Sequence, residues 1–289
     1  MNERDISQAT VRNLIKRIAG LVRRIWIHIL LLIIGFVVLM PFFWMITTSL
    51  KPPALIHVPP HLIPTRFYWQ NYVISLETAP FGRYYLNTII VALGIVIGQL
   101  FLSSLAGYAF ARLQFPGRNI IFLVLLSTLM IPMYITIIPS YLIIRAFGLL
   151  NTYPALILPF LVSAFGIFLF RQYYVAFPKE LEDKALMDGC SRLQIWRHIF
   201  LPLSKPAFAA LGIFSFLFAW NSFLWPLIIT TDPNMWTVQI GLAMFSGQYS
   251  KQWTYQMAGT TISIIPAIVI FIVLQKYYIK HLALSARLG

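Results

Sequence analysis

KELEDKALMDGCSRLQIWRHIFLP, residues 179–202, is a charged island in a greasy chain. The protein has 8 acidic residues in 289, and Glu180, Glu182, Asp183 and Asp188 all fall within this stretch. Around it the composition is 59% hydrophobic and 10% charged, with a mean hydropathy of +0.78. Soluble domains carry about a quarter charged residues, so the chain is of the membrane class. Locally the island predicts two short helices. Pro178 suits a first helical position, and Glu180, Glu182 and Asp183 fall in the first turns, where the helix dipole favours acids. Gly189 is a C-terminal stop. Ser191 and Gln194 form a capping box for a second helix through Phe200, which Pro202 ends before Pro206 restarts the chain. Leu181, Ala185, Leu186 and Met187 give the first helix an apolar surface.

Outward from the island, stretches free of Asp, Glu, Lys and Arg run over 25–50, 84–111, 119–144, 146–170, 206–231 and 252–275. A bilayer core needs roughly 20 apolar residues as helix, so each stretch predicts one crossing. The run 233–250 is also uncharged, but Asn234, Gln239, Ser246, Gly247 and Gln248 interrupt it and it reads as an extramembrane or interfacial loop. Of the 22 basic residues only Lys51, Arg66, Arg83, Arg145 and Lys251 lie in the segments on one side. The positive-inside rule therefore puts both termini and the 171–205 loop in the cytoplasm. The expected fold is an all-α integral membrane protein of six transmembrane helices, with the charged insert between the fourth and fifth.

A net charge of +14 invites a nucleic-acid reading, but the excess is spread over helix ends along one membrane face. Anionic lipid headgroups account for it, and no nucleic-acid partner is expected. The basic segment from Val11 to Arg24 reads as an interfacial lead-in helix; the apolar run after it is too long for a signal peptide and lacks a small-residue cleavage site. A single cysteine, Cys190, excludes an internal disulfide and a Cys-based metal site. His57 and His61 stand close together as HVPPH, but prolines break the helical face a metalloprotease motif needs and no acid accompanies them. No metal site is expected.

Six prolines and several aromatics predict an irregular outer segment over 51–83 with one short helix at most. Gly94 with Gly98, and Ser103 with Gly107, are each four apart and predict close helix packing. Pro132 and Pro139, then Pro154 and Pro159, predict kinked or broken helices, tolerated in lipid where protein or a watery cavity satisfies the freed backbone groups.

At the island the chain resembles the inner-membrane permease subunit of binding-protein-dependent ABC importers. That family's cytoplasmic signature is E-A-A-x3-G-x9-I-x-L-P. Here it reads Asp183-Lys184-Ala185, Gly189, Ile199, Leu201 and Pro202, with every spacing kept; Asp replaces Glu, and Lys184 stands where a small residue is usual. YLNTIIVA (85–92), AGYAFARLQFPGR (106–118), WNSFLWPLI (220–228) and IIPAIVIFIVLQKYY (264–278) resemble the carbohydrate branch, in particular the smaller maltose-type permease. The tail departs from that branch at His281, Ser285 and Leu288.

Charge and hydropathy predict a basic cytoplasmic N-terminal segment over 1–25 and a first span over 26–50, and the resemblance covers roughly residues 65–280. After the external loop 51–83 comes a permease core over 84–281, containing an external loop at 232–258, and then a cytoplasmic tail over 282–289. By that resemblance, residues 178–202 become a coupling helix docked on a separate ATPase, through Glu182, Asp183, Lys184, Ala185, Met187, Asp188, Gly189, Ile199, Leu201 and Pro202. ATP and magnesium belong to that partner, since this chain has no G-x-x-x-x-G-K-[ST] loop and no cofactor of its own. The other implied partners are a second, paralogous permease or a second copy of this chain, an extracytoplasmic substrate-binding protein and membrane lipids, in the plasma (inner) membrane of a prokaryote. The expected cargo is a sugar or related polyol. Tyr134, Tyr141, Ser163, Trp220, Asn221 and Trp225 are the candidate path residues, with a membrane-interface role as the rival for the tryptophans and tyrosines. Trp236, Tyr249, Trp253 and Tyr255 are the candidate contacts to the binding protein. A secondary transporter and a permease for a non-sugar solute are the alternatives, but no charge lies inside any span to carry ion coupling. A membrane enzyme lacks a clustered nucleophile, base or metal set.

Overall fold

The computed structural model describes residues 3–52, 62–64, 66–248 and 253–288, with side chains for 20–52, 62–64, 66–244 and 253–275. Every described element is a helix. α1 (Glu3–Ser49) runs unbroken through Pro41, so the basic lead-in and the first span form one helix. α2 (Gln70–Glu77) is the short helix of the outer segment, and α3 (Phe81–Arg112) is the long central one. α4 (Arg118–Ser127) and α5 (Met133–Ala146) follow, then α6 (Tyr153–Ile157) and α7 (Ala164–Val175). The charged island forms α8 (Glu180–Met187), α9 (Arg192–Ile195) and α10 (Leu201–Leu203). α11 (Lys205–Trp220), α12 (Leu224–Ile229), α13 (Val238–Gln248) and α14 (Trp253–Leu288) complete the chain. His57 and His61 lie outside the described residues.

By length and composition, Gly20–Ser49, Phe81–Arg112 and Trp253–Gln275 are each able to cross a bilayer unaided. The other apolar stretches are broken. Arg118–Met130 and Met133–Ala146 meet at 103°, Tyr153–Phe160 and Ala164–Val175 at 44°, and Arg192–Leu203 and Lys205–Trp220 at 79°. Proline sets the first two: Pro132 precedes α5 in extended conformation, and Pro159 sits in a tight turn (Leu158–Phe160) before the second break. Pro139 stays inside α5 and Pro154 opens α6, so neither breaks a helix.

The small residues bring α3 against α6 and α7. A Cβ on Gly107 would lie 2.6 Å from Phe170 Cβ and 3.0 Å from the Arg171 amide nitrogen, so only glycine admits this approach. Two of the three apolar cores among the described residues are large. One gathers Val91, Ile95, Leu156, Trp220, Trp225 and Ile229. The other, at the far end of α3, gathers Tyr108, Phe170, Tyr174, Ile195, Trp196 and Phe200. α1 packs against α14, but none of its apolar window is buried. Its end is nevertheless held: Asn71 of α2 donates to the carbonyls of Ser49 at 2.7 Å and Lys51 at 2.8 Å.

Residues 233–250, read from sequence as a loop, contain the helix α13. Val238 and Ile240 are fully buried, and that apolar edge docks the segment on the bundle despite its polar interruptions. Asn87 of α3 fixes the entry, donating to the carbonyls of Asn234 at 2.7 Å and Trp236 at 2.9 Å. The Val238 amide then donates to Thr88 Oγ1 at 2.9 Å.

Candidate functional site

α8 ends in a left-handed turn. Gly189 has φ +81°, its amide donates to the Leu186 carbonyl at 3.0 Å, and the Cys190 amide donates to the Ala185 carbonyl at 3.0 Å. These two bonds form a Schellman cap, which satisfies carbonyls that would otherwise be orphaned. Nothing lies within 4 Å of where a Gly189 Cβ would stand, so the backbone angle rather than packing within the chain requires glycine. α9 then opens on the capping box: Gln194 N–H donates to Ser191 Oγ at 3.4 Å, and Ser191 N–H to Gln194 Oε1 at 2.7 Å.

The second helix departs from the sequence reading. It does not run as plain α-helix to Phe200 and stop at Pro202. It widens into a π turn over Trp196–Phe200, and Pro202 sits in the first turn of α10. Proline has no N–H to return to the preceding turn and its ring needs room there, which accounts for the widening. The sharp turn into α11 comes at Ser204, whose hydroxyl donates to the Phe200 carbonyl.

The pair of helices is built as a handle with a sunken root. Ala185, Ile195, Trp196 and Phe200 are buried in the second core, and the Phe200 ring meets Tyr108 at 5.0 Å and Tyr174 at 5.2 Å between centroids. The opposite face is free: Asp183, Lys184, Asp188 and Gly189 are exposed, and Met187 is 80% exposed. Ile199 and Leu201 are half-buried, and Pro202 is exposed.

Glu182 belongs to the root. It is 4% exposed, pairs with Arg192 of α9 and lies 3.9 Å from Arg112 at the end of α3. Arg112 also donates to the carbonyls of Tyr174 at 2.6 Å and Phe177 at 2.5 Å, and its guanidinium rests 5.2 Å from the Phe200 ring centroid. One buried cation therefore ties α3, the end of α7 and α8 together. Sequence reading missed Arg112 and Arg192, because a basic residue at a span's end reads as a membrane anchor and one on a loop as solvated. A polar cavity of about 690 Å³ lies between the handle and residues 111–118.

A second cavity, of about 650 Å³, opens at the breaks before α5 and α7 and is closed by α3 and α11. Ser163, the N-cap of α7, lines it. Trp220 and Trp225 do not: they are 1% and 2% exposed, and their indole N–H groups donate to the carbonyls of Ser263 at 3.0 Å and Ala155 at 3.1 Å. Asn221 is exposed and folds back on the Leu217 carbonyl, Tyr141 packs on the first core, and Tyr134 is 74% exposed.

Residues 99–283 match the family described as binding-protein-dependent transport system inner membrane component. The chain belongs to that family. The permease is 35% identical over 272 residues to the arabinooligosaccharides transport system permease protein AraQ of Bacillus subtilis (strain 168), covering 93% of this chain and 97% of the relative. It is 33% identical to the sn-glycerol-3-phosphate transport system permease protein UgpE of Yersinia enterocolitica, over 91% of this chain and 97% of the relative. Its fold matches a chain in the crystal structure of a bacterial ABC transporter involved in the import of the acidic polysaccharide alginate. That match has a TM-score of 0.78 at 26% identity and covers 91% and 97% of the two chains.

Of the four aromatics assigned to the outer loop, the permease packs Tyr255 and Trp236 against the Tyr84 cluster and leaves Trp253 43% exposed. Tyr249 lies outside the described residues.

Proposed function

We propose that this permease is the membrane half-channel of an ATP-driven importer for a sugar or related polyol, and that α8 is the handle on which a separate ATPase pulls. The observation that carries the reading is the two-sided character of residues 178–202. An exposed face of Asp183, Lys184, Met187, Asp188 and Gly189 stands on a root clamped by Arg112. A partner that moves this face moves α3 and α7 with it, because the root is packed rather than tethered.

In this reading six crossings place both termini in the cytoplasm of a prokaryotic cell, with the handle on the same side, as the basic residues favour. ATP and magnesium are held by the ATPase chains, and this chain binds neither. Residues 232–258 face outward toward a soluble binding protein through Trp236, Tyr249, Trp253 and Tyr255. The bare face of α1 and the open side of the second cavity call for a second permease, a paralogue or another copy of this chain. A sugar or polyol-derived cargo is favoured by the relatives' cargoes, arabinooligosaccharides and sn-glycerol-3-phosphate, and by the alginate importer.

Purification of the tagged chain from its own membranes in mild detergent tests this. Co-isolation of an ATPase and a second permease chain, with ATP hydrolysis stimulated by binding protein and solute, is the expected result. Solute accumulation driven by an ion gradient without any ATPase chain would overturn it, as would steady ATP hydrolysis by this chain alone.

A further inference from the structure

We infer that the cavity between α3, α5, α7 and α11 passes an uncharged, hydroxyl-rich solute and selects against phosphorylated or carboxylated ones. This rests on the importer reading above and narrows it. Similarity alone does not choose, since the relatives' names include a neutral oligosaccharide and a phosphate ester, and the matched structure imports an acidic polysaccharide.

The first observation is charge. Among the described residues, no Lys, Arg, His, Asp or Glu lines this cavity of about 650 Å³. An oxyanion passing here would leave its hydration shell with no cation of this chain to meet it, whereas a neutral polyol gives up only hydrogen bonds.

The second is the direction of those hydrogen bonds. The polar lining is Gln99, Thr128, Thr136, Ser163 and Ser215. Three of the four hydroxyls have already spent their hydrogens. Thr128 Oγ1 donates to the Leu125 carbonyl at 2.6 Å, Thr136 Oγ1 to the Met133 carbonyl at 3.0 Å, and Ser215 Oγ to Gln99 Oε1 at 2.6 Å. Gln99 spends one amide hydrogen on the Phe160 carbonyl at 2.8 Å. What these oxygens still offer the cavity is lone pairs. A wall rich in acceptors pairs with solute hydroxyls, which donate, and finds no partner in a phosphate or carboxylate, which only accept.

Three features run the other way, and each is small. Gln99 Nε2 keeps its second hydrogen to donate. Ser163 Oγ accepts from the Gly166 amide at 3.0 Å and so keeps its own hydrogen to donate. The amino end of α7 also opens here, contributing roughly half a unit of positive charge that Ser163 partly quenches. None of the three balances a full anionic charge. Among the apolar residues of the remaining wall, Phe160, Phe165, Phe214 and Phe218 offer flat faces that suit the C–H faces of a sugar ring.

The test compares cells lacking this chain with cells carrying it. Both are fed one mixture of neutral pentose and hexose oligosaccharides, glycerol 3-phosphate and oligouronates, and solutes inside are measured by mass spectrometry. Chain-dependent accumulation of a neutral oligosaccharide is expected. Thr136→Val and Ser215→Ala should then raise its KM several-fold, more than they lower the maximal rate. Accumulation of the phosphate or the uronates overturns the inference and leaves the importer standing. So does neutral uptake whose KM is indifferent to both substitutions. If no member accumulates in a chain-dependent way, the sugar-or-polyol reading fails and the inference with it.

Discussion

Glu182 Oε2 lies 3.9 Å from Arg112 Nε, with 5% and 10% of the two side chains exposed. The distance is long for a direct bond, so the pair acts less as a salt bridge than as a buried charge balance. Arg192 holds the other carboxylate oxygen, and Arg112 spends its Nη2 donors on the end of α7, leaving its buried Nε without a hydrogen-bond partner. Both helices that meet at Arg112 also reach the second cavity, α3 through Gln99 and α7 through its cap Ser163. On α3 the separation from Gln99 to Arg112 is about 20 Å at 1.5 Å per residue.

Removing the carboxylate should therefore harm the root before it harms docking. Glu182→Ala leaves two guanidinium groups without their anion, at a cost of about 3 kcal/mol. Glu182→Gln keeps a hydrogen-bond acceptor and should cost roughly half of that. Thermal unfolding in detergent reads the order wild type, Gln, Ala. A Glu182→Ala protein as stable as wild type would show that the handle is held by the Phe200 aromatic cluster alone.

Gly189 makes the opposite prediction, a defect in coupling with stability nearly kept. Its left-handed angle disfavours a β-branched residue by about 1–2 kcal/mol, while Asn tolerates it. Uptake should fall in the order Gly, Asn, Val, with the complex still assembling. Asp183→Lys, an exposed change beside Lys184 in the first turns of α8, should likewise abolish uptake without loss of assembly, since it opposes the helix dipole and any basic groups on the ATPase. Reconstituted vesicles supply the measurement. Normal uptake by both Gly189→Val and Asp183→Lys would reduce the segment to a surface connector.

Gly107 should fail earlier, at folding. A side chain there meets Phe170 and the backbone of Arg171, neither of which swings aside. Gly107→Val should cost about 3 kcal/mol or more and lower the yield of assembled complex in size-exclusion profiles. Full yield would mean that α3 and α7 separate more readily than their packing implies.

What sequence reading reached, and what it missed, divides by the range of the signal. The Gly189 cap and the Ser191–Gln194 box depend on residues at most five apart, and both stand as expected. Pro132 and Pro159 announced breaks, because a missing N–H is a local fact. The angle of 103° at the first break was not legible, since neighbouring helices set it. Arg112 and Glu182 are 70 positions apart, and nothing near either residue signals the other. α13 was hidden because its polar residues lowered its hydropathy while Val238 and Ile240 supplied the buried edge. The path tryptophans show the limit most plainly: an indole on an apolar helix looks the same in sequence whether it lines a channel or fills a core.

Trp220 and Trp225 therefore give a decisive comparison with the cavity residues. Each indole is enclosed and donates its one hydrogen to a backbone carbonyl, Trp220 to Ser263 and Trp225 to Ala155. Trp220→Phe and Trp225→Phe remove that donor and some ring area, which should cost about 1–3 kcal/mol each through an orphaned carbonyl and looser packing. The KM for the imported solute should stay at the wild-type value, because neither ring faces the cavity. Uptake kinetics at several solute concentrations, set beside a thermal unfolding curve, separate the two effects. A raised KM with unchanged unfolding would place the indoles in the solute's path during the transport cycle, and the cavity lined by Gln99, Ser163 and Ser215 would then describe only one of its states.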